Sequence, residues 1–111
     1  MNKFKVAFSG LAEALADKNV MIQFLLMICA LVVAFVLNFS FVEWLILGLC
    51  CGLVITAEMI NTCIEKICDF CSPDIDPRIK SIKDMSAGAV LFSATIALII
   101  GIMMVLNHIG G

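Results

Sequence analysis

The stretch Glu58–Asp69, EMINTCIEKICD, decides how this chain is read. Glu58, Asn61, Glu65 and Asp69 follow one another at steps of three, four and four residues, which places them on one stripe of an α-helix. The thirteen residues from Trp44 to Thr56, WLILGLCCGLVIT, carry no charge. Ionisable groups set this close to hydrocarbon are costly, and are normally kept where they face a protein interior and act there. Two carboxylates and an amide on one stripe, ending in a third carboxylate, predict a metal or proton site near a membrane face.

Composition points the same way. Of 111 residues 63% are hydrophobic and only 14% are charged, with a mean hydropathy of +1.15. A soluble domain would carry about a quarter charged residues and under half apolar ones. The net charge of −2 says little, and the arrangement of charges says more. One membrane domain, 1–111, is expected, with spans at about 20–38, 43–70 and 85–107. Each holds roughly 15 to 20 apolar residues, enough to cross a hydrocarbon core ~30 Å thick at 1.5 Å per residue. They must be helices, because unpaired backbone groups in lipid cost several kcal/mol each. The second helix should run beyond the span into water.

Orientation follows from the cations. Lys3, Lys5 and Lys18 precede the first span; Lys66, Arg78, Lys80 and Lys83 lie between the second and third. The connection from Asn38 to Glu43 has no Lys or Arg, and the C-terminal end offers only His108. The positive-inside rule then puts the N-terminus and the 71–83 connection in the cytoplasm and the C-terminus outside. Phe39, Phe41 and Trp44 fit an aromatic belt at the outer interface. Ahead of the spans, Phe4, Phe8, Leu11 and Leu15 recur at helical spacing, while Lys5, Ser9, Glu13 and Asp17 lie elsewhere on the helix. Residues 1–18 are therefore read as an amphipathic helix in the interface, bringing Asp17 near the depth of Glu65. Glu13, Asp17 and the lack of a small-residue cleavage pattern argue against a signal peptide.

Segment 71–83, CSPDIDPRIKSIK, is polar and contains both prolines, which predict turns rather than helix. Asp84 is expected to open the third helix. Two readings of it stand side by side: a partner for the helix dipole, worth about 0.3–1 kcal/mol, or part of an anion-binding group with Lys83 and the loop cations. The six cysteines read as reduced and structural, since Cys68-x-x-Cys71 lacks the further ligands a zinc site needs. Gly48-x-x-x-Gly52 and the small-residue stripe Ser93, Ala97 and Gly101 predict close helix approach in lipid. Three helices alone cannot easily surround a polar site, so a homo-oligomer sharing residues across subunits is expected.

Glu58-x-x-Asn61-Thr62-x-Ile64-Glu65, then Asp69, and then Lys83-Asp84-Met-Ser-Ala-Gly88-Ala-Val90, resembles the signature of the prokaryotic diacylglycerol kinase family. That family includes the undecaprenol kinases of Gram-positive bacteria. Phe8-Ser9-Gly10-Leu11 resembles its opening helix, and the likeness covers essentially the whole chain. The family's E-x-N-x-R motif here reads Asp17-Lys-Asn19-Val-Met21, and Gln23 stands where the family often has His or Glu.

The resemblance implies an all-α integral membrane fold, with an N-terminal amphipathic surface helix and three transmembrane helices, assembled as a homotrimer with shared active sites. It implies transfer of the ATP γ-phosphate to the hydroxyl of a lipid alcohol at the bacterial cytoplasmic membrane. Undecaprenol is the first expectation and diacylglycerol the second. On the same basis Glu58 is the expected general base, and Glu65 and Asp17 hold Mg²⁺. Asp69, Asp74, Asp76, Lys83 and Asp84 are expected on the nucleotide side with Asp17 and Glu65, and Ser9, Gly10, Gln23 and Asn61 on the lipid side. No nucleic-acid partner is expected. A rival of another class is a small proton-coupled transporter or a pore using Glu58 as carrier, which would not need Glu65, Asp69 and the Lys83–Asp84 pair at one membrane face.

Overall fold

A computed structural model describes residues 2–71 and 74–111. These form four helices: α1 Lys3–Ala16, α2 Lys18–Val36, α3 Phe41–Cys71 and α4 Pro77–Gly110. The described residues contain no strand. The last three helices are long and apolar enough to cross a membrane, and the fold is an all-α membrane fold. At 1.5 Å per residue, α3 and α4 are about 46 and 51 Å long, so both project beyond a core of ~30 Å.

Each boundary has a local cause. Asn2 caps α1 by accepting from Phe4 N at 2.9 Å. Asp17, extended at φ −73° and ψ 134°, ends α1 and at once caps α2, accepting from Asn19 N at 3.0 Å and Val20 N at 3.3 Å. One residue therefore separates the two helices. α1 buries none of its residues and leaves Phe4 and Phe8 largely exposed, as a helix lying on lipid requires.

At the other end of α2, Asn38 takes the left-handed conformation, φ 62°. Phe39 N then donates to Ala34 O at 3.0 Å and Asn38 N to Phe35 O at 3.2 Å, which closes the helix in a Schellman motif. Two residues later a capping box opens α3: Glu43 N donates to Ser40 Oγ at 3.2 Å and Ser40 N to Glu43 Oε1 at 2.7 Å. The α2–α3 hairpin is thus fixed by its own short sequence.

α3 packs along α4 on one side and α2 on the other. The interior is as polar as it is apolar: Val20, Ala34, Leu47, Ile55 and Cys68 share it with Glu58, Asn61, Thr62, Ser86 and Ser93. Large apolar side chains such as Leu49, Leu53, Leu91, Phe92 and Met103 point outward. With lipid as solvent, apolar burial between helices gains little, and hydrogen bonds and close packing hold them together. Ser93 and Thr95 turn their hydroxyls back onto the carbonyls of Val90 and Leu91, at 2.9 and 2.7 Å.

The connection departs from the expected 71–83 turn segment. α4 begins at Pro77, because proline's fixed φ and missing N–H suit a first helical position, and Asp76 caps it by accepting from Arg78 N at 2.9 Å. Asp84 consequently sits two turns inside α4 and is no partner for its N-terminal dipole. Pro73 lies outside the described residues. The expected close approach at Gly48, Gly52 and Gly101 is not made within the chain, where an added Cβ at each would meet open space.

Candidate functional site

The stripe read from the sequence is a built feature of α3. Glu58 and Asn61 are 6% and 5% exposed, and Glu65, one turn farther on, is half-buried. Asn61 Nδ2 donates to Glu65 Oε1 at 2.7 Å, and Ser86 Oγ, from α4, donates to Asn61 Oδ1 at 2.6 Å. Asn61 lies one turn from Glu58 and one turn from Glu65 on the same face of α3. Glu65 follows Glu58 by seven positions, about 10.5 Å along the axis, with Asn61 between them.

Beyond Glu65 the stripe continues as an ion pair. Lys83 Nζ lies 2.8 Å from Asp69 Oδ1, the second tie between α3 and α4. Asp84, its sequence neighbour, turns to Lys80 Nζ at 2.6 Å one turn back on the same helix. The Lys83–Asp84 doublet is thereby split, one member facing α3 and the other solvent. Asp76 pairs with Arg78 at 3.2 Å, and that guanidinium, followed by the backbone N–H groups Asp76 caps, holds its carboxyl below the ordinary carboxylate value. Asp74 is exposed in the connection.

Asp17 spends Oδ1 on the α2 cap, which leaves Oδ2 outside that pair of bonds. Asp is the shorter of the two acids and reaches back to its own second and third N–H groups, so this position serves helix geometry as well as charge. Among the described residues no group of three His, Cys, Asp or Glu side chains is gathered to hold a metal. Gln23 lines an apolar groove of about 620 Å³ between α2, α3 and α4 that runs from Ile55 to Phe39. Ser9 and Gly10 are exposed on α1.

A family model described as prokaryotic diacylglycerol kinase matches residues 5–105. The chain belongs to this family. The family suggested by the Glu58 and Lys83 motifs is therefore the one the comparison returns. Among its relatives, the undecaprenol kinase of Bacillus subtilis (strain 168) is 38% identical over 79 residues, covering 70% of this chain and 64% of the relative. The match thus spans under two thirds of that protein's length. The diacylglycerol kinases of Helicobacter pylori strains J99 and 26695 are 36% and 35% identical over 92 residues, covering 79% of this chain and 72% of each relative. No solved structure matches the chain at a significant level.

Three contacts lie beyond what the sequence reading expects. Ser86, three residues after Lys83, falls on the same face of α4 and reaches Asn61. Lys80 belongs to an i, i+4 pair with Asp84 that spacing alone would reveal. Glu43 and His108 lie 65 residues apart and meet only through the packing of α3 on α4.

Proposed function

We propose that this chain is a lipid kinase that transfers the γ-phosphate of ATP to the hydroxyl of a membrane lipid alcohol, undecaprenol before diacylglycerol. The observation that carries the reading is the line from buried Glu58 and Asn61 to half-buried Glu65, with Lys83 held at its water-facing end, in a chain of this family.

Glu58, inside the bundle at the end of an uncharged run, takes the proton of the lipid hydroxyl. The freed oxygen bonds to the γ-phosphorus as the bond to the β–γ bridging oxygen breaks, and ADP leaves with that electron pair. Lys83 offers a cation to the phosphates, while Glu65 and one oxygen of Asp17 offer hard oxygen donors. Two carboxylate donors suit Mg²⁺ chemically, since it keeps most of its ligands as water and phosphate oxygens and takes only one or two carboxylates. When bound, it neutralises phosphate charge, the principal electrostatic need of phosphoryl transfer.

The names of the relatives divide between the two lipids at nearly equal identity. The α2–α3–α4 groove favours undecaprenol: it follows the span from Gln23 to Phe39, a path suited to one long chain. The grouping of Lys and Arg supports a cytoplasmic N-terminus and α3–α4 connection and an outward C-terminal end, in the plasma membrane of a bacterium. The single chain leaves most of its apolar surface and its glycine faces open, which supports assembly of several copies, three by family resemblance.

Purified protein in mixed micelles with Mg²⁺ and γ-labelled ATP tests the reading, with undecaprenol and diacylglycerol offered in parallel. Label should enter undecaprenol faster. Label in neither lipid, with proton flux through reconstituted vesicles, would replace the kinase with a transporter.

A further inference from the structure

The amide of Asn61 is held from both sides. Its Nδ2 reaches Glu65 at 2.7 Å, and its Oδ1 accepts from Ser86 Oγ at 2.6 Å. An asparagine carries an acceptor and a two-hydrogen donor on nearly identical arms, so its orientation is set by its partners. Here the two partners agree: a carboxylate demands the donor, and a hydroxyl supplies a hydrogen to the acceptor. Ser86 and Asn61 are 9% and 5% exposed, so little water is at hand to replace either bond.

We propose that Ser86 is a positioning residue that keeps the Asn61 amide aimed at Glu65, and so fixes the carboxylate offered to the divalent cation. The inference rests on the kinase reading above. Glu65 is half-buried near the end of a spanning helix, and among the described residues Asn61 is what tethers its side chain. Once a cation draws on that carboxylate, the pull of Glu65 on the amide weakens. The bond from Ser86 still holds Asn61 in place, because it is made on the opposite arm from a different helix. Partners of metal ligands commonly matter by 10–100-fold in metal affinity or activity. Ser86 stands one bond farther out, so the lower end of that range applies.

Mn²⁺, counted as the free ion by electron paramagnetic resonance, reports affinity on the intact protein with ATP present and lipid absent. Ser86→Ala should weaken Mn²⁺ binding by about tenfold. Ser86→Thr, which keeps the hydroxyl, should restore it to within about twofold of wild type, on the same scale. Ser93→Ala is the control, since it removes a buried hydroxyl from the same helix that bonds only to Val90 O. It should bind Mn²⁺ as wild type does. The side-chain amide resonances of ¹⁵N-labelled Asn61 supply a second readout, shifting in Ser86→Ala alone. Wild-type affinity and an unmoved Asn61 resonance in Ser86→Ala overturn the inference and leave the kinase reading intact. A wild-type protein that binds no Mn²⁺ and labels no lipid overturns both.

Discussion

His108, near the end of α4, meets Glu43, at the start of α3, with Nδ1 at 3.0 and 3.1 Å from the two carboxylate oxygens. The other ring nitrogen lies against the carbonyl of Leu37, and the ring itself tilts over Phe39 at 5.3 Å between centroids. Leu37 caps α2, so one side chain touches all three spans. Phe39 also meets Trp44 edge-on at 6.4 Å, which closes a small polar–aromatic cluster at this end of the bundle.

Glu43 has two duties there, and variants separate them. Glu43→Gln keeps the capping box, which accepts Gln as readily as Glu, and loses the charge facing His108. Glu43→Ala loses both. Unfolding in detergent should show Glu43→Gln destabilised and Glu43→Ala destabilised further, since only the second also loses the cap. His108→Ala should match Glu43→Gln, with phosphate transfer retained in both because the acidic stripe lies at the opposite end. Identical midpoints for all three variants and wild type would show that the cluster does not fasten the spans.

Lys83 and Asp69 are 39% and 69% exposed at their side chains, so solvent screening leaves their ion pair little to contribute to stability. Lys83→Met should therefore leave the unfolding midpoint nearly unchanged. Its effect belongs on the nucleotide: KM for ATP rises about tenfold or more, the scale of one charge-assisted bond of ~1.5–3 kcal/mol. A Lys83→Met protein with wild-type KM and reduced stability would reverse that assignment.

Glu58→Gln is nearly isosteric and removes only the proton acceptor. Turnover should fall about 10²–10⁴-fold, the usual contribution of a positioned general base. Thermal stability should hold or rise, since a buried carboxylate is replaced by a neutral amide. Circular dichroism and lipid labelling on the same preparation compare the two. Near-wild-type turnover would remove Glu58 from the role of base.

Acid should loosen the start of α4. Asp76 has its carboxyl lowered by Arg78 and by the N–H groups it caps, so its contribution is fully present above the ordinary aspartate value of about 4. That contribution is lost as pH falls through the lowered value, because the protonated acid is a poorer acceptor. Protection of the Arg78 and Ile79 amides, taken relative to intrinsic exchange at each pH, should fall below that pH in wild type. Asp76→Ala should show low protection at every pH. Equal, slow exchange in both proteins would remove Asp76 from the cap.

Periodicity made the spans and the acidic stripe legible, because an uncharged run followed by polar residues at steps of three and four has few other physical solutions. The resemblance to the family is carried by Glu58, Asn61, Glu65 and Lys83, which sit at fixed spacing within continuous helices. Two expectations fail for local reasons. Pro77, a helix breaker in most contexts, here starts a helix, so α4 begins about two turns earlier than expected. Asp84 consequently lies beside Lys80 and not at a helix end. Other features were out of reach. The pairs Asn61–Ser86, Asp69–Lys83 and Glu43–His108 depend on the relative rotation of α3 and α4, which spacing within either helix does not determine.

Asp17 alone joins the interface helix to the first span, so the joint has no slack. Hydrophobic mismatch is consequently transmitted rather than absorbed. A thinner bilayer tilts α2, and α1 must either follow it out of the headgroup plane or pull Asp17 away from the N–H groups of Asn19 and Val20. The lipid around the protein thus loads the α1–α2 joint directly, with no loop to take up the difference.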